Sequence, residues 1–338
     1  MSRKKTPARY STLLRVARGL YIILFAMSLV VVASYIALKL IEPRGRPGQV
    51  ELPLASDSLP EQSPDASNTS DVVDISKPET LTLNRREGVY TCLLLGGADV
   101  GGSDTIMLGV FDTGEKTASL ISIPRDTLVK YNGSNIKLNA AYSYGGVEAV
   151  VQCVREMLAV PIDYYVTVNT RAFREIVDQI GGVYFNVPVK MDYEDPYGDL
   201  YIHVNPGYQL LNGRQAEGVV RCRSCYNNAD IGRAATQRAF LTALVKQTVT
   251  LSNVTRVTGL INIVSTYVKS DMPLSDMVYF GTQAVGMDLD TALTSAILSD
   301  NWVSPYIVPT EEQVLTLVNS LGIYEEEVPA SVLRLVRP

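Results

Sequence analysis

The sequence predicts an α/β fold: a layered α-β-α domain with a central mixed sheet, preceded by one transmembrane helix and a flexible linker. Three observations carry that prediction. The short runs Thr91 to Leu95, Thr105 to Phe111 and Thr117 to Ile123 are rich in Leu, Ile and Val and bounded by Gly, Asp or Pro, the pattern of strands buried on both faces. Segments with helical spacing then alternate with further strand-like runs, which argues for helices layered on a sheet. Ahead of all of them, Gly19 to Leu38 is uncharged and almost wholly apolar.

Composition narrows the class. A chain of 338 residues with 46% hydrophobic and 19% charged residues holds one or two domains with a substantial core plus an apolar addition. The net charge of -5 supplies no overall positive field to attract a polyanion, so nucleic acid is not an expected partner. Cys92, Cys153, Cys222 and Cys225 with a single histidine, His203, exclude the usual zinc arrangements.

Residues 1–18 form a basic tail with Arg3, Lys4, Lys5, Arg9, Arg15 and Arg18. Residues 19–41 then read as the membrane span, since about 20 residues at about 1.5 Å each cross a hydrocarbon layer of about 30 Å. The basic excess places the N-terminus in the cytoplasm and the remainder outside the cell membrane. A cleaved signal peptide is the rival, but its apolar core would be shorter and no small-x-small site follows. Residues 42–84 carry prolines, serines and aspartates, with no aromatic residue from Glu42 to Thr80, and read as a disordered linker.

Residues 85–250 form the expected α/β domain. After the three apolar runs, Lys130 to Ser134 is turn-rich, and Val147 to Leu158 has helical spacing that Pro161 stops. Tyr164 to Val168 alternates as a strand, Thr170 can cap a helix that Gly181 and Gly182 end, and Val183 to Val187 is a further strand. Met191 to Leu200, with Asp192, Glu194, Asp195 and Asp199, reads as a solvated acidic loop whose spacing matches no EF-hand. His203 sits in a strand-like run as a structural residue. Residues 251–338 are expected as a helical extension packed on the α/β domain, with helices near Leu260 to Val268, after Pro273, and over Thr310 to Leu321.

Two stretches carry chemistry. Asp99 and Asp104 flank a loop with Gly96, Gly97, Gly101 and Gly102, and two carboxylates beside a close-approach backbone suit Mg2+, with Mn2+ as a substitute. Arg125, at a Pro-Arg-Asp corner, would supply a cationic fork for phosphate. An acidic turn beside a surface ion pair accounts for the same residues. In the second stretch, Arg221 and Arg223 share one side if the backbone there is extended, with Cys222 on the other. Asp230, Arg233 and Gln237 fall on one helical face, where Asp230 can orient an arginine. That set suits a pyrophosphate, and equally a solvent-facing basic stripe. Cys222 and Cys225 either form a local disulfide or remain thiols.

These segments together resemble the LytR-CpsA-Psr family of membrane-anchored bacterial cell-wall enzymes. The resemblance rests on LLLGGAD and SDTIML, SIPRD at Ser122 to Asp126, KLNAAYSYGG at Lys137 to Gly146, VDQIGGV at Val177 to Val183, LNGRQA at Leu211 to Ala216, and R-x-R followed by DIGRAATQ. It implies a phosphotransferase that moves a glycopolymer of teichoic acid or capsule type from a polyprenyl pyrophosphate carrier to a peptidoglycan hydroxyl. It also implies Mg2+ at Asp99 and Asp104, pyrophosphate at Arg125, Arg221, Arg223, Arg233 and Gln237, and a lipid tunnel between sheet and helices. Two positions depart from the family pattern. Gly102 and Thr236 stand where arginines are common, and Arg238 is a rotated substitute for the second. The rival functions are a polyprenyl pyrophosphate hydrolase and a non-catalytic lipid-binding or regulatory envelope protein.

Overall fold

The structure, a computed structural model, describes residues 49–54, 80–97, 103–195, 200–226, 230–248, 266–284, 287–299 and 301–337. The predicted membrane span lies outside the described residues, and among those described no helix is long and apolar enough to cross a membrane. The chain divides into two units. One comprises 46–273 and 280–338 and holds every feature below apart from Leu274–Tyr279, which falls in the other.

Strands β1 (Gln49–Pro53) and β2 (Thr80–Asn84) pair antiparallel, Gln49 opposite Asn84. The interval expected as linker therefore carries a two-stranded ribbon at its described ends. The signal was present, because Val50, Leu52 and Leu54, then Leu81 and Leu83, alternate at the period of a half-buried strand and pack on the core.

The apolar runs form β3 (Val89–Gly96), β4 (Thr105–Asp112) and β5 (Thr117–Ile123), an antiparallel meander. A hairpin of β6 (Leu128–Tyr131) and β7 (Ser134–Lys137) leads into α1 (Leu138–Leu158), which is broken by non-helical backbone at Gly145 and Gly146. Strand β8 (Tyr164–Val168) returns parallel to β3. Helix α2 (Thr170–Gln179) follows, capped by the Asn169 side chain, which accepts from the Ala172 amide; Asn169, rather than Thr170, is the cap.

Next come β9 (Val183–Val187), β10 (Met191–Asp195), β11 (Leu200–Val204) and β12 (Gly207–Leu211), with β9 paired to β12 and β10 to β11. The expected acidic loop is thus partly a hairpin. Its exposed edge is bridged locally, since His203 lies 2.8 Å from Asp192 and 3.2 Å from Glu194 while Lys190 lies 2.8 Å from Asp192. Helices α3 (Gly213–Arg221) and α4 (Asp230–Thr248) complete this half.

The C-terminal region does more than cover the domain. After β13 (Val268–Ser270) come α5 (Leu274–Ala284), α6 (Leu289–Ala292) and β14 (Leu293–Ile297). A short pair, β15 (Trp302–Val303) and β16 (Tyr306–Ile307), precedes α7 (Glu311–Ser320). Strand β13 pairs with β8 and β14 with β5, so the six-stranded sheet runs β13-β8-β3-β4-β5-β14 and both edges come from the region expected to be helical. Parallel and antiparallel pairs coexist, so the sheet is mixed. Of the expected helix near Leu260 to Val268, 260–265 lie outside the described residues and Val268 opens β13.

Alternation in β3 and β4 sends side chains two ways. Leu93, Leu95, Ile106 and Leu108 enter a core shared with α1 and α7, while Leu94 and Met107, paired across the strands, line a cavity on the other face. A second core packs β9, β11, β12 and α3 around Phe240 of α4.

Burial pushes the Cys92 thiol up to about 12 and the Cys153 thiol up to about 11. In the unfolded chain both thiols ionise near pH 8.5. Above that pH the unfolded state binds fewer protons than the folded one, so stability falls as pH rises towards 11. The expected slope is about 1.4 kcal/mol per pH unit per thiol. Urea unfolding between pH 8 and 10 checks this: Cys92→Ala should flatten the slope, and an unchanged slope contradicts it.

Candidate functional site

The loop entering β4 is fixed by backbone chemistry. The Gly97 amide donates to the Val168 carbonyl at 3.1 Å and the Asp104 amide to the Gly96 carbonyl at 3.1 Å. Gly97 has φ +76, a conformation that glycine adopts without strain. The buried Ser103 hydroxyl lies 2.8 Å from the Thr105 carbonyl and 3.1 Å from that of Gly96. These contacts pin the loop exit at the strand end and leave the Asp104 side chain 56% exposed. Arg125 Nη1 donates to Asp104 Oδ1 at 2.6 Å. The corner bearing Arg125 is held in turn by the Thr127 hydroxyl on the Pro124 carbonyl at 2.6 Å and by a 3.0 Å Lys137–Asp126 ion pair.

Asp104 opens onto a cavity of about 620 Å³ between the sheet and helices α2, α3 and α4. Such a volume falls within the roughly 300–1,000 Å³ typical of ligand pockets. Helix α4 contributes Arg233, Gln237, Phe240, Leu241 and Leu244, one face read along about 16 Å of axis. The lining therefore passes from polar to apolar along a single helix. Arg221 and Arg223 join the polar part, and Leu94, Met107, Phe173 and Ile176 the apolar part.

Of the residues singled out from sequence, Asp104, Arg221, Arg223, Arg233 and Gln237 line this one cavity, and Arg125 is ion-paired to Asp104. Asp99 lies outside the described residues; Asp230 opens α4. Gln237 is oriented by a 3.0 Å bond from Nε2 to the Val220 carbonyl.

The extended backbone considered for Arg221 to Arg223 does not hold at Arg221. Arg221 ends α3, and Cys222 is its C-cap with φ -63 and ψ 106. The chain leaves the helix between the arginines, which lets both reach the cavity despite the helical start. Cys222 and Cys225 are disulfide-bonded with Cα atoms 5.6 Å apart, closing the turn that carries Arg223 and Ser224. Gly102 lies outside the described residues. Thr236 is buried and bonded to the Tyr226 hydroxyl at 2.5 Å, whereas Arg238, about 100° round the helix from Gln237, does not line the cavity.

Glu217 and Arg174 have no counterpart among the sequence candidates. Glu217, buried at the cavity, accepts from Arg221 Nη1 at 2.7 Å and is ion-paired with Arg174, whose Nε lies 3.3 Å away. The i,i+4 spacing of Glu217 and Arg221 was a readable signal.

A LytR_cpsA_psr family model matches residues 60–316. The chain belongs to the LytR-CpsA-Psr family. Within that family, the polyisoprenyl-teichoic acid–peptidoglycan teichoic acid transferase TagU of Bacillus licheniformis is 30% identical over 194 residues, covering 56% of this chain and 61% of that protein. The transferase of the same description named TagV, from Bacillus subtilis, is 32% identical over 181 residues, covering 52% of this chain and 46% of that protein. The match thus spans less than two thirds of either relative. The crystal structure of B. subtilis TagV superposes with a TM-score of 0.63 and 26% identity, over 72% of this chain and all of that one. A structure of TagT bound to LIIa-WTA gives 0.60 and 26%, over 70% of this chain and 91% of that one. The mixed α/β fold around a central mixed sheet is therefore that of solved LytR-CpsA-Psr proteins.

Helices α2 and α3 of this family member cross closely enough to exclude a side chain. A Cβ at Gly213 would lie 2.4 Å from the Arg174 carbonyl oxygen and 2.8 Å from its Cα, both backbone atoms. Gly213→Ala must therefore part the helices, at an expected cost of about 1–3 kcal/mol. A thermal melt should shift down by several degrees; an unshifted melt contradicts this packing.

Proposed function

We propose that this protein is a membrane-anchored phosphotransferase that moves an anionic glycopolymer, of teichoic acid or capsule type, from a polyprenyl pyrophosphate carrier to a peptidoglycan hydroxyl. The observation that carries the proposal is one cavity whose lining along α4 turns from Arg233 and Gln237 to Phe240, Leu241 and Leu244. A prenyl chain fits the apolar part and a diphosphate the polar part. Anchorage by Gly19 to Leu38, with the N-terminus in the cytoplasm and the domain outside, is supported by the length of that run and its basic flank.

The acceptor hydroxyl attacks the phosphorus that bears the glycan, the anhydride P–O bond breaks, prenyl phosphate leaves with the electron pair, and the hydroxyl proton passes to solvent. Such a reaction needs mainly alignment and charge neutralisation. Arg221, Arg223 and Arg233 suit the diphosphate oxygens, Gln237 adds a neutral polar group, and Arg125 holds Asp104. Mg2+ fits the donor chemistry, because Asp104 offers an exposed carboxylate at the cavity and this cation is commonly held by one or two carboxylates with substrate phosphates. Asp104 and Asp99 would hold it, and it would supply neutralisation of the phosphate oxygens. Among the described residues no three His, Cys, Asp or Glu side chains are arranged to hold a metal ion.

The test uses the full chain in detergent, a prenyl-diphosphate-linked glycan and peptidoglycan, with and without chelator. Transfer that stops with chelator and resumes with Mg2+ is the expected result. Release of free glycan phosphate without acceptor would make the protein a hydrolase, and prenyl-diphosphate binding with neither product would make it a lipid-binding protein.

A further inference from the structure

We infer that Glu217 is a positioning residue for Arg221, fixing where that guanidinium points in the cavity; the inference rests on the proposed role of Arg221 as a diphosphate-binding group. Glu217 is only 6% exposed, yet it lines the cavity. A buried carboxylate is stable as an anion only when charge and hydrogen bonds surround it, and here both oxygens are used. Oε1 accepts from Arg221 Nη1 at 2.7 Å, and Oε2 is ion-paired with Arg174, whose Nε lies 3.3 Å away.

The two arginines come from different helices, Arg174 from α2 and Arg221 from the last turn of α3. Their separation is set by the close crossing at Gly213, whose amide donates to Asp178 Oδ1 of α2 at 2.7 Å. Glu217 thus cannot follow Arg221 if it swings, because its other oxygen is tied to α2. One end of the Arg221 guanidinium is held, leaving the remaining N–H groups aimed as a set. An arginine at a helix end without such a tether samples many rotamers and loses that entropy on binding.

The discriminating experiment is a double-substitution cycle on the full chain in detergent, reading the Kd of farnesyl diphosphate with Mg2+ by calorimetry. Glu217→Gln keeps the shape and removes the charge, and should weaken binding on the order of tenfold. In an Arg221→Ala background the same substitution should change Kd by less than twofold, because its effect runs through Arg221. An equal factor in both backgrounds, or none in the wild-type background while Arg221→Ala weakens binding, overturns the inference. If Arg221→Ala itself leaves Kd unchanged, the reading of the site fails first and the positioning role with it. Should Glu217→Gln not fold, Arg174→Met removes the other tether and is read in the same two backgrounds.

Discussion

Replacing Asp104 by alanine is expected to lower glycopolymer transfer by about 10²–10³-fold, the scale for removing one electrostatic group aimed at charge developing in a transition state. The side chain is 56% exposed and bonded to Arg125 at 2.6 Å, so the substitution removes a candidate metal carboxylate and one partner of the arginine together. It opens no hole in either core, and its stability cost should stay within about 0.5 kcal/mol. Asp104→Asn separates the two roles: it keeps a hydrogen-bond acceptor for Arg125 but lacks the charge a divalent cation needs. Both variants should be inactive with unchanged melting. Transfer above half the wild-type rate in Asp104→Ala would remove this carboxylate from the mechanism.

The largest stability effect is expected far from the cavity, at Asp163→Ala. The Asp163 carboxylate receives both terminal nitrogens of Arg85, Nη1 at 2.7 Å, together with the Thr91 amide at 2.8 Å and lies 3.1 Å from the Thr91 hydroxyl. Arg85 and Asp163 are 2% and 6% exposed in their side chains. Removing the acid leaves a buried guanidinium uncompensated, for about 3–5 kcal/mol. That is a large part of a typical total of about 5–15 kcal/mol. Because the pair joins the end of the β1–β2 ribbon to the entrance of β8, the central sheet should open there first. Chemical denaturation gives the number directly. The double variant Arg85→Met/Asp163→Leu should recover most of the loss, since no unpaired charge remains; a double variant as unstable as the single one would point to lost packing instead.

Both effects turn on what sequence reading could and could not reach. Strands β3, β4 and β5 were legible because a strand buried on both faces is apolar at nearly every position. The edge strands β13 and β14 were not, since an edge strand of three to five residues gives too few positions for its period to stand out. Arg221 and Arg223 both line the cavity, but the backbone between them was left conditional, because a spacing of two does not say where a helix ends. The φ and ψ of Cys222 decide that.

By itself the sequence determined the chemistry available: two acids in a glycine-rich loop, a set of arginines, a glutamine, and an apolar stretch at the start of the chain long enough for a membrane. Tertiary structure alone decided which of these share a space, with Asp104 and the α3 and α4 side chains around one cavity. It also supplied partners no local pattern announces, Arg174 to Glu217 and, 78 positions apart, Arg85 to Asp163. The reason is physical: periodicity reports which way a side chain faces within its own element, whereas a buried charge is satisfied by whatever another element brings within about 3 Å, and packing alone sets that.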